Sequence, residues 1–117
     1  MEIAAKTEEQ VQIVSIVDNR IDAAVAIQFK DAIREHTNSG PDVIVLDLSR
    51  VEFIDSSGLV AIVATMKNMG QQRKLALAGL TPTVARVFQL TRMDSVFNVF
   101  PTLDSALAAL KTEEPQR

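Results

Sequence analysis

Between residues 11 and 17 the chain reads Val-Gln-Ile-Val-Ser-Ile-Val. A run of mostly apolar, β-branched residues predicts a strand. An earlier stretch, residues 3–6, predicts an edge strand paired antiparallel with it, through a turn at Thr7-Glu8-Glu9-Gln10. Asp18-Asn19-Arg20 breaks the pattern, and the apolar period then changes. Over residues 23–38, Val25, Phe29, Ala32, Ile33 and His36 recur on one face of a helix. Asp22 stands where an N-cap belongs, and Ser39-Gly40-Pro41 supplies the stop, with Gly as C-terminal cap and Pro beyond it.

Residues 43–48, Val-Ile-Val-Leu-Asp-Leu, form a nearly continuous apolar run, which suits a strand buried on both faces of a parallel sheet. A second helix is predicted over 57–69, with Leu59, Ile62, Val63, Met66 and Met69 inward and Gly70 at its end. Residues 75–78 predict a short strand. Thr81 and Pro82 open a third helix as N-cap and first helical residue, and Val84, Val87 and Phe88 form its buried stripe. Residues 96–100 predict the last strand. Thr102 caps a final helix in which Leu103, Ala106, Leu107 and Leu110 recur. Residues 113–117 read as a polar, disordered tail. The order β-β-α-β-α-β-α-β-α predicts the α/β class. The sheet is mainly parallel with one antiparallel edge strand, in one domain over residues 1–112.

Composition narrows the function classes. The 117 residues carry a net charge of −3, and their 12 Lys and Arg form no cluster, which argues against nucleic-acid binding. Five Phe with no Tyr or Trp offer no stacking platform for bases. With no cysteine, disulfides, thiol catalysis and thiolate metal sites are excluded. The first residues show no basic segment leading into an apolar core, and no apolar run nears the roughly 20 residues of a membrane span. A cytoplasmic protein without membrane insertion is expected.

Catalytic motifs are missing as well. Neither a Gly-x-x-x-x-Gly-Lys loop nor Gly-x-Gly-x-x-Gly occurs, and His36, the single histidine, has no neighbour at metal-ligand spacing. His36 reads instead as a residue near a helix C-terminus, where positive charge is mildly favourable. No enzyme, metal or cofactor is predicted.

One segment stands apart, residues 47–59, Asp-Leu-Ser-Arg-Val-Glu-Phe-Ile-Asp-Ser-Ser-Gly-Leu. It joins the most buried strand to the second helix, and loops at the C-terminal ends of parallel strands are where α/β proteins place their sites. Asp55, Ser56 or Ser57 caps the helix, and Gly58 answers to a crowded backbone. The same geometry displays a serine at a helix N-terminus. There a phosphate adds about −1.5 to −2 charge that the helix end tolerates. Capping and switching are compatible, because one serine can cap while its neighbour is modified.

Val51-Glu52-Phe53-Ile54-Asp55-Ser56-Ser57-Gly58-Leu59 resembles the signature of STAS domains, and within them the bacterial anti-sigma-factor antagonists. The resemblance runs from about Val11 to Leu110. Asn19-Arg20-Ile21-Asp22 sits where the family usually has Gly-x-Leu-Asp. Asn tolerates left-handed backbone best among non-Gly residues, so the turn is expected to persist. The resemblance implies partner switching. The unmodified protein would bind an ATP-binding anti-sigma factor that is also a serine kinase, freeing a sigma factor. Phosphorylation of Ser56 would end the complex, and a PP2C-type phosphatase would restore it. Asp55, Ser57 and Gly58 would shape the loop that the kinase reads, with Asp22 nearby. The alternative within the family is an adaptor subunit of a lipid-transport or other complex without a phospho-switch.

Overall fold

In the computed structural model, which describes residues 2–112, five strands form the main sheet. They are β1 (Ile3–Glu8), β2 (Val11–Ile16), β4 (Val43–Asp47), β6 (Lys74–Ala78) and β7 (Asn98–Phe100), side by side in that order. β1 runs antiparallel to β2, and every other pair is parallel. β3 (Arg20–Ile21) and β5 (Phe53–Ile54) make a separate two-stranded parallel sheet. Among the described residues four helices accompany the sheets: α1 (Ala26–Thr37), α2 (Ser56–Met69), α3 (Pro82–Leu90) and α4 (Leu103–Thr112).

Alternation along the strands divides the core in two. Val14, Ile16, Ile44, Leu46, Leu75 and Leu77 face one side, where Phe29 and Ile33 of α1, Ile62 of α2, and Val84 and Phe88 of α3 cover them. Val11, Ile13, Val45, Ala76 and Ala78 face the other, beneath Ala106, Leu107 and Leu110 of α4. β4 is central, so its middle residues are buried on both faces, as its apolar run predicts. The phenyl rings of Phe88 and Phe97 meet edge to face, with centroids 6.1 Å apart.

The helix ends differ from expectation in instructive ways. Asp22 is not the N-cap of α1; Val25 occupies that position and makes no side-chain cap bond. Asp22 lies three residues earlier and closes its own turn, Oδ1 accepting from Ala24 N at 3.1 Å. His36 is exposed, and the buried residue of that turn is Thr37. Gly40 does not cap α1 in a left-handed conformation. The helix's terminal carbonyls are met from far along the chain, by Gln12 Nε2 on His36 O at 2.7 Å and by Arg73 Nη2 on Thr37 O at 2.8 Å. Gly40 leaves room for the Gln12 carboxamide, which a Cβ there would push aside.

Smaller departures follow the same logic. Thr7 and Glu8 continue β1, so the hairpin turns at Glu9 and Gln10, with Glu9 at φ 55°. Thr81 stands at the N-cap of α3, but its hydroxyl donates to Val51 O at 2.8 Å rather than to the helix. The segment before β7 is a short 3-10 turn, Met93–Ser95, and Val96 is exposed. Thr102 does cap α4, its Oγ1 accepting from Ser105 N at 3.0 Å. The tail expected over residues 113–117 lies outside the described residues.

Candidate functional site

The loop singled out in the sequence enters α2 through β5. Asp55 is the N-cap: its Oδ1 accepts from Gly58 N at 2.9 Å. The cap therefore belongs to the aspartate, and neither serine is needed for it. Ser56 becomes the first helical residue, one position earlier than expected, and is exposed; Ser57 is half-buried. The Ser56 hydroxyl has no hydrogen-bond partner among the described residues.

The second carboxylate oxygen of Asp55 reaches across to the segment before α1, accepting from Ala23 N at 3.2 Å. One side chain thus joins the start of α2 to the connection that carries Asp22. Asp22 is steadied by Arg20, whose Nε lies 2.8 Å from its Oδ2. The Arg20 guanidinium also sits over the Phe53 ring, 5.1 Å from its centroid. Backbone bonds reinforce this contact: Asn19 O accepts from Glu52 N at 2.7 Å, and Ile21 O accepts from Asp55 N at 3.4 Å. Asn19 does not take the left-handed conformation expected of it; its contribution is that carbonyl.

Gly58 is fixed by the same close approach. A Cβ there would run into the Ile21 carbonyl and lie 2.9 Å from Ile54 Cγ1. The structure thus gathers Asp22, Asp55, Ser56, Ser57 and Gly58 at one end of the domain, where β3 and β5 bring the two loops together. The sequence missed these two strands, since two residues carry no readable period.

Beside Ser56 a shallow groove of roughly 270 Å³ opens between α1 and α2, lined by Ile27, Lys30, Ser56, Ser57 and Val60 among others. Both large apolar side chains in this lining are exposed, Ile27 71% and Val60 65%. Phe53, 43% exposed, precedes the serine by three residues. The only sequence signal for this surface is that Ile27 and Val60 fall off the buried stripes of their helices. Among the described residues no His, Asp or Glu cluster has metal-site geometry, and no helix is long and apolar enough to cross a membrane.

An α/β domain with four helices on a mostly parallel sheet, and an Asp-Ser-Ser-Gly loop opening α2, defines the class of STAS domains. The chain matches the STAS domain family over residues 2–106, and it belongs to that family. It is 34% identical over 95 residues to the anti-sigma-F factor antagonist RsfB of Mycobacterium tuberculosis, covering 81% of this chain and 78% of that one. It is 29% identical over 100 residues to the anti-sigma-B factor antagonist of Listeria monocytogenes, covering 85% and 86%. Among solved structures, an anti-sigma factor antagonist from Mycobacterium paratuberculosis superposes with a TM-score of 0.84 at 32% identity, covering 94% of this chain and 93% of that one.

Proposed function

We propose that this protein is an anti-sigma factor antagonist whose docking is switched by phosphorylation of Ser56. The antagonist role is supported by relatives of that name along most of the chain. In its unmodified form the protein binds an ATP-binding anti-sigma factor that is also a serine kinase, and so releases a sigma factor. A PP2C-type phosphatase is the expected reset.

The observation that carries the switch is the division of labour between Asp55 and Ser56. Asp55 caps α2, so Ser56 is left exposed at the helix start with an unengaged hydroxyl. An ester there costs no cap bond. It places about −1.5 to −2 charge beside the apolar Ile27 and Val60. A partner that covers these side chains must desolvate that charge, which opposes docking. The fold keeps its core, because nothing buried depends on the Ser56 side chain.

The test is phosphorylation by the cognate kinase with mapping of the modified residue by mass spectrometry. Label on Ser56, lost in Ser56→Ala and kept in Ser57→Ala, is the expected result. Label confined to Ser57 contradicts the assignment.

A further inference from the structure

Several of the groups near Ser56 that could receive a phosphate are already engaged. Gly58 N–H, in the first turn of α2, is taken by Asp55 Oδ1 at 2.9 Å. Ala23 N–H is taken by Asp55 Oδ2 at 3.2 Å, and Ala24 N–H by Asp22 Oδ1 at 3.1 Å. The helix start thus offers less than a free N-terminus would, and two carboxylates stand beside it. Arg20 is committed to Asp22 at 2.8 Å and lies over Phe53.

Among the described residues around the groove, one cation is left. Lys30, on α1, lines the same groove as Ser56. It also lines a wider groove further along α1 and α2, beside Arg34 and Arg73. Those two are engaged, Arg34 with Asp31 at 2.8 Å and Arg73 with the Thr37 and Pro41 carbonyls at 2.8 Å. The Lys30 ammonium has no ion pair or hydrogen bond among the described residues. An ammonium on a flexible four-carbon stem reorients toward a new anion at little cost.

We propose that Lys30 is the intramolecular receptor of the Ser56 phosphate: the phosphoserine bridges the α1–α2 groove to the Lys30 ammonium and covers the apolar surface between Ile27 and Val60. This rests on the reading of Ser56 as the modified residue. It adds a second arm to the switch. The phosphate not only repels a partner but also closes the groove that the partner needs. No bond is made or broken beyond the ester itself; the bridge is an ion pair with charge-assisted hydrogen bonds.

The experiment uses the full chain with phosphoserine placed at position 56 by genetic-code expansion, so no kinase is required. Its phosphate is titrated by phosphorus NMR in three proteins: the parent with Lys30, the Lys30→Arg variant and the Lys30→Met variant. Asp22 and Asp55 beside the serine, Arg20 behind Asp22, and Asp31, Arg34 and His36 on α1 are the same in all three. Their influence cancels in the comparison. The second phosphate pKa is expected roughly half a unit lower in the parent and in Lys30→Arg than in Lys30→Met, the size of a partly screened ion pair. The Ile27 and Val60 methyl signals are expected to shift on phosphorylation with Lys30 and to stay in place in Lys30→Met. Equal phosphate titration in all three proteins overturns the bridge. A kinase that labels a different residue overturns the reading of Ser56 instead, and the two failures are told apart because the titration needs no kinase.

Discussion

Gly58 shows how one residue couples two loops. Its missing side chain lets the first turn of α2 settle against the Ile21 carbonyl, and that approach lets Asp55 reach both Gly58 N and Ala23 N. Gly58→Ala is expected to destabilise the domain by about 2–4 kcal/mol, because the obstacle is backbone and cannot swing aside. Urea unfolding measures it. Asp55→Ala removes a cap and a bridge between loops, and is expected to cost about 1–2 kcal/mol. Ser56→Ala should stay within about 0.5 kcal/mol of the parent by the same assay, as its hydroxyl holds nothing in place. The crowding at Gly58 was legible in the sequence. Which of Asp55, Ser56 and Ser57 capped the helix was not, since Asp and Ser both cap well and only the approach of β3 selects among them.

Elements were legible where they were long and periodic. The central strand β4 and the helix α4 follow their apolar patterns closely, whereas in α2 Leu59 and Ile62 are buried as predicted, Val63, Met66 and Met69 only partly, and Ala61 and Thr65 join the buried face. Ends decided by distant partners were not. The C-terminus of α1 is closed by Gln12 and Arg73, 24 and 36 positions away from the carbonyls they meet, so Gly40 was a plausible cap with a different task. α4 is tied to the β1–β2 hairpin in the same long-range way: Lys111 Nζ lies 3.1 Å from Glu8 Oε1 and 3.7 Å from Glu9 Oε2. The Lys111 hydrogen bond, helped by Lys6, holds the Glu8 carboxyl below its ordinary value. The Glu8 bond in turn raises Lys111.

The signs follow from linkage. A carboxyl lowered in the folded state contributes stability above its unfolded pKa and loses it as the pH falls through the folded value. An amine raised in the folded state contributes below its unfolded pKa and loses it as the pH rises through the folded value. Glu8→Gln is therefore expected to unfold with a shallower loss of stability on the acid side of the glutamate range than the parent. Lys111→Met is expected to flatten both flanks. Thermal melts across pH check this, and the difference should shrink in high salt because the pair is at the surface.

At the scale of the molecule, the order of strands and helices was enough to name an α/β sheet, because each crossover connection leaves few alternatives. The surface proposed for docking was harder to see. Ile27 and Val60 are apolar residues on helices that already have buried stripes, and only the packing of α1 beside α2 leaves them next to Ser56. Replacing both with Ser is expected to leave stability within about 1 kcal/mol, since neither is buried, while weakening the proposed partner by at least about tenfold. Equal partner affinity in that variant would move the docking surface elsewhere.

The proposed switch requires that a charged ester at the start of α2 abolish docking and spare the scaffold. Isothermal titration of the anti-sigma factor kinase, in the absence of ATP, into unmodified protein and into protein fully phosphorylated at Ser56 measures this directly. A loss of affinity of about 100-fold or more, about 2.7 kcal/mol, with an unchanged circular dichroism spectrum is the predicted result. The same dissociation constant for both forms would contradict it.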